Sequence, residues 1–171
     1  KSLEKKRRYR LLDVSVDNVT MKSALDEIFR LARNGGEQVA FLNAHCANIS
    51  TRDPYYRSVL NQCALVLADG IGMRLAALMM KIAVNENVNG TDMFPLLCEK
   101  ARDEQLTVGL VGAAPTIAQK VKEKMEAAYK GLRIVVTSDG FFTEGTKEED
   151  ALIDEINRTA PDILLVAMGV P

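Results

Sequence analysis

Short apolar runs alternate along this chain with longer stretches whose apolar residues recur every three or four positions. Leu11–Val16 reads as a first strand. Thr20 then opens a helix to about Arg33, with Met21, Leu25, Ile28, Phe29 and Ala32 at helical spacing and Asn34-Gly35-Gly36 at its end. Gln38–Asn43 reads as a buried strand. A polar segment with Asn48, Thr51 and Asp53-Pro54 follows, then a short helix from Tyr55 to about Gln62. Leu65–Ala68 is a second buried strand and stops at Asp69-Gly70. Ile71–Ala83 predicts a helix that is apolar on nearly every side, through Met73, Leu75, Leu78, Met79, Met80 and Ile82. Such a helix belongs in a core or between subunits. Helices are then expected at Thr91–Gln105, from Pro115 to near Lys130, and over Lys147–Thr159. Strands Leu106–Val111, Leu132–Thr137 and Ile163–Met168 alternate with them.

This alternation predicts an α/β protein built on a mostly parallel sheet with helices on both faces. The length, 171 residues, suits one domain, expected over residues 11–171. The chain stops just after a strand that reads as fully buried, so a further C-terminal segment is expected beyond Pro171.

Charge changes the picture at one end. Lys1, Lys5, Lys6, Arg7, Arg8 and Arg10 stand against Glu4 alone, whereas the whole chain carries a net charge of -1. Residues 1–10 therefore read as a basic arm, either a solvated end or a stretch attracted to anionic lipid. A basic arm on an acidic body is not the footprint of a nucleic-acid binder. Cys46, Cys63 and Cys98 are widely spaced and His45 is the only histidine, so no zinc pattern exists and reduced, buried thiols are expected. No apolar run reaches the ~20 residues of a spanning helix.

In open parallel sheets, ligands bind beyond the carboxyl ends of the strands. Asn43 with His45, Asp69-Gly70, Gly112-Ala113-Ala114-Pro115 and Asp139-Gly140-Phe141-Phe142 all fall at such ends. The loop Asn89-Gly90-Thr91-Asp92 opens a helix that could face the same crevice. Asp69 has two readings: the N-cap of the helix that follows, or a general base delivered by an apolar strand. Gly112–Pro115 is an ordinary strand-to-helix turn or a phosphate cradle. His45 is a local hydrogen-bonding residue first and a ligand contact second. Neither glycine fingerprint for nucleotides is present, which argues against a P-loop hydrolase or a dehydrogenase. No Asp-x-Asp pair offers metal ligands.

Read together, Ala68–Met73 (ADGIGM), Asn89–Phe94 (NGTDMF), Val108–Pro115 (VGLVGAAP), Ser138–Phe142 (SDGFF) and Pro161–Pro171 (PDILLVAMGVP) resemble the WecG/TagA/CpsF glycosyltransferases, glycosyltransferase family 26. The resemblance runs from about Leu11 to the end. It implies a Rossmann-like α/β fold and inverting, metal-independent transfer of an N-acetylhexosamine such as N-acetylmannosamine from a UDP-sugar. The implied acceptor is undecaprenyl-diphosphate-linked, at the inner face of the plasma membrane, in polysaccharide or teichoic acid synthesis. No cofactor is implied, since the UDP-sugar is a substrate. The resemblance makes Asp69 the base that deprotonates the acceptor, with Gly70 beside it, and Asn43 a polar neighbour of the donor sugar. Asn89, Thr91 and Asp92 would line the site. Gly112, Asp139, Gly140 and Phe141 would hold the nucleotide. One position departs: many members place Thr two residues before the Asn, and here it is Phe41. A homo-oligomer joined through the apolar helix 71–83 is also expected. The competing reading is a non-catalytic nucleotide-binding or scaffold module.

Overall fold

The computed structural model describes residues 7–170. They form a mixed α/β protein with seven strands and seven helices among the described residues, and the strands fall in two sheets. The chain divides into two compact units, residues 1–94 and 95–171.

The first unit opens with a hairpin, β1 (Arg7–Leu11) and β2 (Val14–Asn18), paired antiparallel. The single strand expected at Leu11–Val16 is thus two strands with a turn inside it. Leu12 and Asp13 form the turn, both at positive φ (46° and 66°). A two-residue turn needs that geometry, but Leu-Asp lacks the glycine that usually announces it. Asn61 holds the turn from outside: its Oδ1 accepts from the Ser15 N–H and its Nδ2 donates to the Asp13 carbonyl, each at 3.0 Å. Arg7–Arg10, read as part of a solvated arm, are therefore ladder residues. The rest of the basic stretch, and Pro171, lie outside the described residues.

Strand β2 pairs in parallel with β4 (Leu65–Ala68), and β4 in parallel with β3 (Val39–Leu42), giving the order β1-β2-β4-β3. Asp17 of β2 is buried and replaces part of the ladder. Its Oδ2 accepts from the Val66 N–H and its Oδ1 from Arg8 Nε, both at 2.9 Å. Arg8 also donates to the Ala64 carbonyl at 3.0 Å. This cation of the supposed arm is a structural clamp.

Helix α1 (Met21–Asn34) is the amphipathic helix the pattern predicts, closed by a reciprocal Thr20–Ser23 capping box. The polar segment after β3 is helical instead: α2 (Ala44–Arg52) buries only Cys46, Ala47 and Ser50. Small buried residues on a polar background give little helical signal. Helix α3 (Pro54–Gln62) follows at once, capped by Asp53, with Pro54 in its first turn. Helix α4 (Ile71–Met79) ends earlier than expected, where Lys81 takes φ 59°. It buries Met73 and Ala77 and leaves Ile71, Leu75, Leu78 and Met79 exposed, so the described residues of its own chain do not enclose it.

Helix α5 (Gly90–Asp103) carries the boundary between the units at Pro95. In the second unit, β5 (Thr107–Gly112) lies between β6 (Arg133–Ser138) and β7 (Ile163–Ala167), all parallel. Helices α6 (Ile117–Ala128) and α7 (Lys147–Thr159) provide the crossovers. Central β5 is buried throughout. Strand β7 is an edge strand with Leu164, Val166 and Met168 exposed, not the fully buried strand its composition predicts. Its start is pinned by Asp162, whose carboxylate accepts from both the N–H and the hydroxyl of Thr107 at 2.7 Å. The Thr107 N–H bond holds the Asp162 carboxyl below its ordinary value.

Candidate active site

In the first unit, β3 and β4 end side by side. Leu42 is in register with Ala68, and the Asp69 N–H donates to the Leu42 carbonyl at 2.9 Å. Parallel pairing therefore delivers Asn43 and Asp69 to the same edge of the sheet, each as the first residue past its strand.

Their side chains have different freedom. Asn43 caps α2: its Oδ1 accepts from the Cys46 N–H at 2.9 Å, which leaves the exposed amide nitrogen for a ligand. Asp69 does not cap α4. That position belongs to Gly70, at φ 91°, and no side chain caps the helix. Burial raises the Asp69 carboxyl above its ordinary value of 3.8, with no countering hydrogen bond or cation among the causes. A half-buried carboxylate without a structural partner among the described residues suits proton transfer better than capping.

The turn that presents Asp69 is held by residues the sequence reading passed over. The Gly70 N–H donates to Asn87 Oδ1 at 2.8 Å. Residues 85–87 are anchored in turn: the Asn85 N–H donates to Asn18 Oδ1 at 2.8 Å, Asn85 Nδ2 to the Asn18 carbonyl at 3.1 Å, and Glu86 accepts from the Met21 N–H at 2.7 Å. Gly72 lets the start of α4 approach α2, since a Cβ there would lie 3.1 Å from the Ala44 Cβ. The same loop leads to Asn89, which caps α5 by accepting from the Asp92 N–H at 2.8 Å and donating to Asp92 Oδ2 at 2.6 Å. Gly90 packs on the Phe41 ring, its would-be Cβ 3.8 Å from the nearest ring carbon. Phe41 is thus a floor for the Asn89–Asp92 loop. The exposed Thr91 and Asp92 follow in the first turn of α5.

His45 stands apart from Asp69 in what it lines. With Asn48, Ile49, Arg52 and Asp53 it borders a depression of about 370 Å³ along α2, and neither Asn43 nor Asp69 lines it. Its neighbour Cys46 is buried, and burial above all, with Cys46 beside it, pushes the Tyr56 hydroxyl well above its ordinary value.

The second unit gathers its own residues at the carboxyl edge of its sheet. Gly112 takes φ 128°, and any Cβ there would collide with the Ala167 carbonyl. The close backbone approach the glycine permits is therefore that of β7. The Ala113 N–H donates to the Ala167 carbonyl at 3.1 Å, and the Gly140 N–H to the Ala113 carbonyl at 3.3 Å. Asp139 forms a turn by accepting from the Phe141 N–H at 3.0 Å, and the Phe141 ring is 72% exposed. Gly112, Asp139, Gly140 and Phe141 are thus brought together, as are Asn43, Asp69, Gly70 and Asn89 in the first unit. Among the described residues, no three His, Cys, Asp or Glu side chains are placed to hold a metal ion.

The profile of the "Glycosyl transferase WecG/TagA/CpsF family" matches residues 9–171. The chain belongs to this family. Among its relatives are proteins named N-acetylglucosaminyldiphosphoundecaprenol N-acetyl-beta-D-mannosaminyltransferase. The one from Bacillus spizizenii is 27% identical over 82% of this chain and 53% of its own length. That from Bacillus subtilis is 26% identical over 80% of this chain and 52% of its own length. That from Staphylococcus aureus is 23% identical over 94% of this chain and 63% of its own length. The chain spans between half and two thirds of the length of these relatives.

Proposed function

We propose that this protein is an inverting glycosyltransferase. It moves N-acetylmannosamine, or a close N-acetylhexosamine, from a UDP-sugar to an undecaprenyl-diphosphate-linked acceptor in surface-polymer synthesis. The observation that carries the reading is Asp69: a carboxylate with a raised pKa and no structural bond, delivered beside Asn43 at the carboxyl edge of a parallel sheet.

In the proposed reaction the Asp69 carboxylate takes the proton of the acceptor hydroxyl. The hydroxyl oxygen attacks the anomeric carbon, the bond from that carbon to the UDP oxygen breaks, and UDP leaves with the bonding pair. A single in-line displacement inverts the anomeric configuration. Burial raises the Asp69 pKa, which strengthens its carboxylate as a base. Asn43 supplies an amide donor to the donor sugar. Gly70, Asn89, Thr91 and Asp92 shape the acceptor side, and His45 contacts substrate from the α2 depression. Gly112, Asp139, Gly140 and the exposed Phe141 ring bind the nucleotide. The lipid-linked acceptor places the work at the inner face of the plasma membrane. No described helix is long and apolar enough to cross it.

The test is transfer from UDP-N-acetylmannosamine and UDP-N-acetylglucosamine to a short-chain lipid-diphosphate N-acetylglucosamine, in EDTA, with the product anomer read by NMR. A β-linked disaccharide from the mannosamine donor is expected. A retained α configuration, or turnover only after Mg²⁺ or Mn²⁺ is added, contradicts the mechanism.

A further inference from the structure

Helix α4 is turned inside out for a helix facing water. Its inward side is anchored by Met73 and Ala77, while Ile71, Leu75, Leu78 and Met79 face outward, with Ile71 78% and Leu75 57% exposed. At 3.6 residues per turn those four side chains form one continuous stripe. Arg74 stands exposed at one border, and exposed Lys81 follows the end of the helix. From Gly70 to Asn85 the chain has no Asp or Glu. An apolar stripe bordered only by cations is the pattern of an element that lies in a lipid interface. Monomeric proteins rarely leave such a stripe open to water without a use for it.

We propose that α4 docks the protein onto an anionic lipid surface by sinking its outer stripe into the headgroup region, with Arg74 and Lys81 at the phosphates. The proposal rests on the transferase reading for its purpose. Asp69 lies two residues before Ile71, so insertion of α4 sets the candidate base at the depth of a lipid-borne diphosphate. A second copy of this chain, the occupant the sequence pattern suggests, fits less well. Pairing two such faces would bring the Arg74 and Lys81 charges of both copies to one seam, with no Asp or Glu from Gly70 to Asn85 to offset them. Each cation is instead attracted to an anionic surface.

The experiment uses the full-length protein with vesicles of equimolar phosphatidylglycerol and phosphatidylcholine, and with phosphatidylcholine alone. Co-sedimentation is expected with the anionic vesicles. The double variant L75D/L78D should weaken it at least about tenfold, given the loss of several buried methylenes. R74Q/K81Q should remove the preference for anionic vesicles. Ile153→Asp, at an exposed apolar position on α7, should change nothing. An environment-sensitive dye on Leu78→Cys should shift to the blue on anionic vesicles, a readout that stands even if the aspartate pair folds poorly. Unchanged vesicle binding by L75D/L78D, or no dye shift, overturns the proposal. So does sedimentation velocity showing that the aspartate pair dissociates an oligomer and leaves lipid binding intact, which assigns the face to a second copy. Vesicle binding needs no turnover, and transfer to a water-soluble acceptor needs no vesicle. The docking proposal and the transferase reading can therefore fail separately.

Discussion

Replacing Asp17 with Ala tests the clamp that joins the hairpin to the parallel strands. The side chain is fully buried, and the residue it serves on β4, Val66, is 1% exposed. Alanine leaves the Val66 N–H without an acceptor in a place water cannot reach, a cost of about 1–3 kcal/mol. It also removes the partner of Arg8. That side chain is 41% exposed and rehydrates, so the lost ion pair adds no more than about 1 kcal/mol. The expected loss is about 1–4 kcal/mol, which for a chain of this size lowers the melting midpoint by roughly 2–15 °C. Asp17→Asn keeps an acceptor for Val66 and should lose about half as much. Urea unfolding followed by circular dichroism measures both, with an unchanged m-value as the sign that only stability moved. Arg10→Ala is the control, since its 3.4 Å pair with Asp13 is exposed on both sides and should be worth less than about 0.5 kcal/mol. If Asp17→Ala falls within about 0.5 kcal/mol of the parent protein, the clamp is not what holds β2 to β4.

Three further outcomes are expected. Gly112→Ala should cost about 3 kcal/mol or more, because φ 128° is strained for alanine and its Cβ meets the β7 backbone; a melting point within a degree of the parent's would contradict that geometry. Asn87→Ala should cost about 1 kcal/mol of stability and lower kcat about tenfold with little change in UDP-sugar KM, since Asn87 acts only by holding Gly70; an equal loss in KM, or no loss in kcat, removes it as a positioning residue. Burial raises the Asp69 pKa on folding, so the native state binds the proton more tightly and stability falls as pH rises from the unfolded value of about 3.9 through the raised native one. Asp69→Asn should flatten that slope and be the more stable form at neutral pH, a difference that thermal melts at graded pH would show or deny.

Where signals are local, the sequence was a sufficient guide. Thr20 with its helical apolar spacing gave α1, and the helix expected over Lys147–Thr159 matches α7 to the residue. The apolar strands ending at Asn43, Asp69 and Gly112 gave the sheet edges. What escaped depends on distant partners. The Leu12-Asp13 turn is stabilised by Asn61, and the Asp69-Gly70 turn by Asn87, neither visible from a window around the turn. Helix α2 escaped because its buried side chains are small and its exposed ones polar. The misreading of β7 has a plain cause: apolar composition states that a surface avoids water, not what covers it. Asp69 illustrates the opposite limit. Its two readings, cap or base, were indistinguishable in sequence, and the geometry of Gly70 as the cap position removes the first.

The central claim is that Asp69 is a base and not a structural residue. Single-turnover transfer by the full-length Asp69→Asn protein, beside its UDP affinity by calorimetry and its melting temperature, tests this most directly. The predicted result is a transfer rate lower by about 10²–10⁴-fold, with UDP affinity within about twofold and no loss of stability. The parent's rate should also fall as pH drops through the raised Asp69 pKa, while the residual rate of the variant stays flat. Near-normal transfer by Asp69→Asn, or a loss of activity matched by a loss of folding, contradicts the account.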